Sequence, residues 1–441
     1  MNNILTVEID SLPLSMEPCT LMDQTSFLLG NLIYKKCISE DESNTIFKRI
    51  KGRNNNTEFV FTLKQLYWNN GETLTSQHVL NGYNESLTSQ TPFLWLTNII
   101  NKDIAYYGIK LLDKVSFVLF LNEPFYYIKN LFKTYLFVPT KIKNNTLTYL
   151  SGSHEFIQPL NNDVLILKKR KGVKAKFDYI LFVKTETGKQ GIKLFLEEKI
   201  DITCNTHFPF KDNLKYSKRI KKSDLLLTCQ LELNTNRIDI ENRKRIVSSI
   251  DRVFLSDKLN SYIKPLPSFC SIWITDCNEI EAEAEACSQQ SDNERALILY
   301  YSNFSPNQNI AFVLAKQIKD ECGITIKPIG LSLEEYTHKV VEKDYDLILT
   351  LTPLLYDDPS CLFNYFRYDN YFDIERDKTD FDSSVCQGNA LKNSPKRDLC
   401  YLSAEDILRR QYNIFPIGSF FNIYLTKNDT IEYCKQGFLK V

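Results

Sequence analysis

Two short stretches gather side chains able to do chemistry. Cys204-Asn205-Thr206-His207 sets a thiol and an imidazole three residues apart, which is half the donor set of a soft-metal site. Asp357-Asp358-Pro359 sets two carboxylates at a turn, where Asp358 can cap the turn at Pro359. The rest of the inventory is thin. His78, His154 and His338 stand far apart, and the 12 cysteines include no Cys-x-x-Cys pair, so the spacing fits neither a zinc site nor a compact disulfide framework. There is no Gly-x-Ser-x-Gly, no glycine-rich phosphate loop and no His-Glu-x-x-His. The chemistry on offer is recognition, with no metal and no cofactor. A Cys–His couple assembled only by the fold is the one catalytic arrangement left open.

Composition narrows the partners. The 54 basic and 54 acidic side chains cancel, which removes an overall electrostatic case for nucleic acid or an anionic membrane. With 43% hydrophobic and 24% charged residues the chain reads as soluble and globular. Its 441 residues exceed one ordinary core, so two or three lobes are expected. No apolar run approaches the roughly 18–20 residues of a membrane span. The start, MNNILTVEIDSLPLS, has no cationic segment and is interrupted by Glu8 and Asp10, unlike a secretory signal. As written, the chain is expected in the cytoplasm with its cysteines reduced and mostly buried. A leader removed or omitted would place it in the periplasm or at the cell surface.

Positioning falls to an α/β framework. Phe59, Phe61 and Leu63 alternate with Val60, Thr62 and Lys64, which predicts a half-buried strand. Asn69-Asn70-Gly71 supplies a turn. Thr75 is the natural N-cap of a helix whose Val79, Tyr83 and Leu87 share a face, with Leu74 stapled on Val79. One further helix is expected over Glu241–Leu255, with Ile246, Val247, Ile250 and Phe254 on its apolar side. From Leu297 the chain alternates a strand (Leu297–Tyr301), a helix (Ile310–Cys322, stopped by Gly323) and a strand (Ile324–Ile329). A helix opened by the capping box Ser332–Glu335 and a strand (Asp346–Leu351) complete the unit. Such alternation implies a largely parallel sheet, whose ligands sit beyond the carboxyl ends of its strands. The segment Thr352 to Ser360 occupies that place.

Several motifs fall in one order. Phe61-Thr62-Leu63 leads to Trp68-Asn69-Asn70-Gly71-Glu72-Thr73-Leu74-Thr75-Ser76; Met16-Glu17-Pro18 precedes it, and Glu123-Pro124-Phe125, Ser249-Ile250-Asp251-Arg252 and Tyr356-Asp357-Asp358-Pro359 follow. The set resembles the peptide/nickel-type (family 5, oligopeptide/dipeptide-binding-like) solute-binding proteins of ABC importers, over nearly the whole chain. That family's Tyr-Glu-Gly-Leu signature reads Tyr34-Lys35-Lys36-Cys37 here.

The resemblance implies an α/β, two-lobed periplasmic-binding-protein-like (type II) fold with an extra subdomain in the first lobe. Lobe I is expected to comprise residues 1–34, the extra subdomain 35–150, a second part 151–228 and a C-terminal return 412–441, with lobe II at 229–411. It implies non-catalytic, hinge-closing binding of a small peptide or peptide-like solute by a monomer, the substrate-binding component of a transport system with an ABC permease as partner. A cytosolic metabolite-sensing module on the same fold is the second reading. By position in the resemblance, Tyr356, Asp357, Asp358, Thr352, Leu355 and Asn234-Thr235-Asn236 are the ligand-binding candidates. Peptide-binding relatives hold the ligand's α-ammonium with an acid three residues before the Asp/Glu-Pro step, and that position is Leu355 here.

Overall fold

The alternation at Phe59, Phe61 and Leu63 is a strand, Glu58–Leu63, that buries those three side chains. It pairs antiparallel with Phe47–Arg53 on one side and Ser116–Phe120 on the other, and Ile109–Leu111 completes a four-stranded sheet. Phe61 stacks on Phe117 across the ladder with ring centroids 4.9 Å apart, the cross-strand aromatic pairing that pins register. The helix Ser76–Thr88 packs over this subdomain. Thr75 caps it, and the His78 ring takes the role a Glu or Gln usually plays in a capping box, accepting from the Thr75 backbone N–H at 3.0 Å. Leu74 and Val79, the staple pair, are both fully buried. The computed structural model describes residues 3–440 apart from 22, 40–44, 90–92, 144–145, 162, 207, 210–218, 275–294, 305, 369–374 and 429.

A second four-stranded sheet begins the chain. Ile4–Ile9 runs parallel to Tyr179–Lys184, followed by antiparallel Val164–Lys169 and His154–Asn161. The third sheet has six strands in the order Ile263–Pro265, Ile414–Leu425, Ile220–Leu233, Leu347–Pro353, Leu297–Ser302, Ile326–Leu331. Its last three strands are mutually parallel, as the strand–helix alternation predicts, but Ile220–Leu233 pairs antiparallel with both Leu347–Pro353 and Ile414–Leu425. The sheet is mixed rather than largely parallel because its two longest strands enter from outside the βαβ unit. Ile202 ties the sheets together, bridging Val7 of the first and Thr426 at the end of the six-stranded one.

The helix expected over Glu241–Leu255 is two, Ile240–Ser248 and Arg252–Lys258. Asp251 breaks it: its carboxylate accepts from the backbone of Val253 and Phe254 and starts a new helix, the usual competition of a short acidic side chain with a continuing helix. Phe254, expected on the apolar face, is exposed as a result.

The largest apolar core is continuous from the subdomain sheet (Phe47, Phe61, Phe117) to Phe363, Phe366 and Tyr401 on the helices Pro359–Tyr368 and Pro395–Arg409. Polar ties reinforce that contact. Glu123 receives Arg367 at 2.6 Å and the Cys386 thiol at 3.0 Å, Tyr126 N–H donates to the Asn389 carbonyl at 2.8 Å, and the Arg397 guanidinium lies 4.4 Å from the Tyr127 ring centroid.

Candidate functional site

Where the strand Leu347–Pro353 ends, the chain meets a cavity of about 60 Å3, room for about four water molecules at ~15 Å3 each. Seven other segments converge on it, two of them through Pro18 and Phe93 alone. Gln24 and Phe27 come from the helix Gln24–Ile33, Lys36 from the strand-like run after it, and Lys133 to Leu136 from the subdomain. Leu225 to Leu227 and the turn residues Gln436 and Phe438 close the remaining sides, facing Pro353, Leu354 and Leu355.

Local rules place each wall. Asp23 caps the helix Gln24–Ile33 by accepting from Ser26 N–H at 2.9 Å. Segments 36–38 and 132–137 run side by side, held by Ile38 N–H to the Phe132 carbonyl and the Cys37 thiol to the Phe137 carbonyl, each at 3.0 Å. That juxtaposition brings Lys36 and Lys133 to the same cavity. The Lys36 ammonium is buried between two rings, 5.3 Å from the Tyr135 centroid and 4.9 Å from that of Phe438, a cation–π arrangement. The C-terminal turn needs Gly437, whose φ of +77° other residues rarely adopt. Its carbonyl accepts from Gln24 Nε2 at 2.8 Å, fastening the turn to the first helix.

Leu225 to Leu227 form the floor because the pairing of Ile220–Leu233 with Ile414–Leu425 loses register between Asp224 and Thr228. Released from that ladder, Leu226 takes other partners: its N–H donates to the Lys435 carbonyl at 2.6 Å and its carbonyl accepts from Leu354 N–H at 2.9 Å. Behind this floor lies a second cavity of about 40 Å3, with Lys264, Ser271, Asp357 and Lys435 among its lining residues.

The sequence candidates separate by location. Leu355 lines the first cavity, and Asp357 lines the second, where its carboxylate accepts from Trp273 Nε1 at 2.9 Å and pairs with Lys435 at 2.8 Å. Tyr356 is buried in the large core, with its hydroxyl 3.4 Å from Ser360 Oγ. Asp358 is buried too. It accepts from Ser360 N–H at 2.9 Å at the start of the helix Pro359–Tyr368 and pairs with Arg397 at 2.7 Å, so its work is to hold the turn. Thr352 lies inside the six-stranded sheet, where Oγ1 accepts from Gln230 Nε2 at 2.9 Å in a buried polar row with Thr228, Glu232 and Thr350.

Asn234, Thr235 and Asn236 lie away from both cavities. Leu227 pairs with Pro353 and Leu233 with Leu347, so Asn234 begins at the opposite end of that strand from the cavity. There Asn234 Nδ2 donates to the carbonyls of Lys343 and Tyr345, and its Oδ1 accepts from Asn236 N–H. These are the bonds of a turn, the ordinary use of an Asn-rich chain reversal.

The thiol–imidazole stretch divides likewise. Cys204 is buried with its thiol 3.3 Å from Thr206 Oγ1, and burial pushes its pKa well above the usual thiol value, with Asp10 and Glu8 adding to the shift. His207 lies outside the described residues. Among the described residues no three His, Cys, Asp or Glu side chains form a group that could hold a metal ion.

Sequence reasoning missed the lysines, the Leu225–Leu227 floor and the C-terminal turn. One signal was present: the Tyr34-Lys35-Lys36-Cys37 departure marks a change of charge at what proves to be a cavity wall. Nothing comparable marked Gln436 or Phe438.

Among the described residues no helix is long and apolar enough to cross a membrane. By sequence, no curated protein matches the chain. Solved structures do match it by fold. The murein tripeptide binding protein MppA of Escherichia coli superposes with a TM-score of 0.80 at 18% identity, over 99% of this chain and 96% of its own. OppA of Haemophilus influenzae in complex with RPPGFSPFR gives 0.80 at 16% identity, over 99% of this chain and 96% of its own. An unliganded open form of MppA gives 0.69 at 18% identity, over 99% and 95%. The fold is therefore the two-lobed one of periplasmic binding proteins. The profile of the bacterial extracellular solute-binding proteins, family 5 (middle part), matches residues 48–373, and the chain belongs to that family.

Proposed function

We propose that this protein is the substrate-binding component of an ABC-type peptide transport system, closing its lobes on a small peptide or peptide-like solute without transforming it. The observation that carries the reading is the cavity itself. It is lined by segments far apart in the chain, from Pro18 to Phe438, that present apolar, neutral polar and cationic side chains with no nucleophile–base pair among the described residues. Relatives of the same fold are described with peptides, including OppA with RPPGFSPFR and a Helicobacter pylori DppA with the peptide STSA. Solute binding requires the lobes to part and close again, and the solute favours closure by touching both at once.

The family's description places its members outside the cell, and the cysteines are compatible with that setting. Ten are described, none in a disulfide, and seven of the ten are buried. Burial raises the pKa of Cys37, Cys229 and Cys361, leaving little thiolate to oxidise. The test of function is native mass spectrometry of protein purified from its own cells without denaturation. A co-purifying peptide-sized mass supports the proposal. Protein that carries none, and whose melting temperature and scattering radius ignore a peptide library, refutes it.

A further inference from the structure

We propose that the hairpin joining Val164–Lys169 to Tyr179–Lys184 docks the protein on an anionic lipid surface. Residues 168–176 hold six cations, Lys168, Lys169, Arg170, Lys171, Lys174 and Lys176, and no acid occurs from 164 to 176. At the base of the hairpin carboxylates answer them. Lys169 pairs with Asp178, Arg170 lies 3.6 Å from Glu155, and Glu155 stands opposite Lys168 in the ladder. Toward the tip that balance ends. Lys176 meets the Thr430 hydroxyl, and exposed Lys171 and Lys174 have no partner among the described residues. Val173, between them, is an exposed apolar side chain. No residue from 164 to 178 lines either cavity, so the hairpin is a separate surface.

The fold holds this tip out in one shape. Val173 N–H donates to the Arg170 carbonyl at 3.3 Å, and Gly172, third in the turn, has φ +81°, the geometry of a type II turn. A Cβ at Gly172 would meet nothing within 4 Å, so the apex stands clear of the molecule. The base is pinned from both sides. Arg170 donates from its backbone N–H to the Ser153 carbonyl and from Nε to the His154 carbonyl, each at 3.1 Å, and Asn3 Nδ2 donates to the Lys176 carbonyl at 2.8 Å. A loop already fixed gives up little conformational freedom on docking. The chain's charges cancel overall, so the field of this tip is local and fades within about 8–10 Å in physiological salt. The one arginine is tied at the base, and the cations at the tip are all lysine, a flexible point charge suited to mobile headgroups rather than to a fixed array of carboxylates. Lysines flanking an exposed valine can keep their ammonium groups at headgroup level while the apolar apex dips below them.

The experiment is co-sedimentation of the full chain with vesicles of phosphatidylcholine alone, or of phosphatidylcholine and phosphatidylglycerol in equal parts. Each lysine brought to an anionic surface raises partitioning about fivefold, so Lys171, Lys174 and Lys176 together should favour the anionic vesicles by about a hundredfold. That preference should fade as salt rises from about 50 mM to about 500 mM. Lys171→Gln with Lys174→Gln should lower it by about twentyfold and leave the melting temperature unchanged, since neither side chain has a contact to lose. The indole added by Val173→Trp should shift its emission to the blue with anionic vesicles and not with neutral ones. Equal binding to the two kinds of vesicle, no binding at low salt, or a double variant that binds like its parent overturns the proposal. Retention on a polyglutamate resin without binding to vesicles also overturns it, and reassigns the hairpin to an acidic protein partner.

Discussion

Glu8 provides the most quantitative test of how this fold is held. It is 2% exposed, on the first strand, with Oε1 accepting from Thr185 Oγ1 at 2.6 Å and Oε2 accepting from Cys204 N–H at 2.9 Å. Its carboxylate fills the space left by Gly191, where a Cβ would stand 1.8 Å from Oε1. Burial pushes its pKa up to about 7, against the two hydrogen bonds, with Asp10 adding a smaller push in the same direction. At about 1.36 kcal/mol for each pH unit between the ordinary 4.5 and about 7, the charged form is disfavoured by roughly 3 kcal/mol. The sign follows from linkage. Between those pH values the folded protein holds a proton that the unfolded chain has released, so this group's contribution to stability falls as pH rises through the window and is level above it.

Glu8→Gln keeps the shape and can keep both hydrogen bonds, with Oε1 accepting from Cys204 N–H and Nε2 donating to Thr185, and it cannot ionise. Urea unfolding of the two proteins from about pH 5 to about pH 8 should give curves that converge at the acid end and separate by about 2–3 kcal/mol at the alkaline end, the variant being the more stable there. Every other titrating group cancels in the difference. Parallel curves would refute the reasoning, because they would mean that Glu8 ionises as easily folded as unfolded.

Three further outcomes are expected. Arg397→Met leaves the Asp358 carboxylate buried without its cation and should cost about 3–5 kcal/mol in denaturant unfolding, part of which Asp358→Asn in the same chain should restore. Gly437→Ala forces a side chain into φ +77° and should cost about 1–2 kcal/mol; it should also weaken solute binding in calorimetry, because Gln24 loses its hold on the turn. Asp357→Ala removes an exposed pair, so its melting temperature should change by no more than about 1 kcal/mol of stability implies. Its solute affinity should nonetheless drop, since Asp357 fixes Lys435 and, through it, the wall at Gln436; unchanged affinity would remove Asp357 from the site.

Elements with a strong local cause were legible from sequence. The Phe59–Leu63 alternation, the Thr75 cap with its Leu74–Val79 staple, and the stop at Gly323 all appear where their side chains dictate. Where two local rules compete the outcome was harder to read: the apolar stripe at Ile246, Val247 and Ile250 argues for one helix, and Asp251 wins by capping a second. The mixed sheet was hidden because the antiparallel pairing of Ile220–Leu233 joins segments more than a hundred residues apart. The site was the least legible part for the same reason. Leu355 could be placed on a cavity wall from its strand, whereas Lys36, Lys133 and Phe438 meet only through tertiary packing, and no local pattern encodes that meeting.

The unbroken aromatic seam from Phe61 to Phe363 bears on kinetics as well as on stability. Prying the cleft apart along that line would wet several phenyl rings at about 2 kcal/mol apiece, so opening along it is a rare event in the empty protein. A solute must then wait for a rare gape. Its observed association rate should level off at high concentration, with the plateau reporting how often the jaws open unaided.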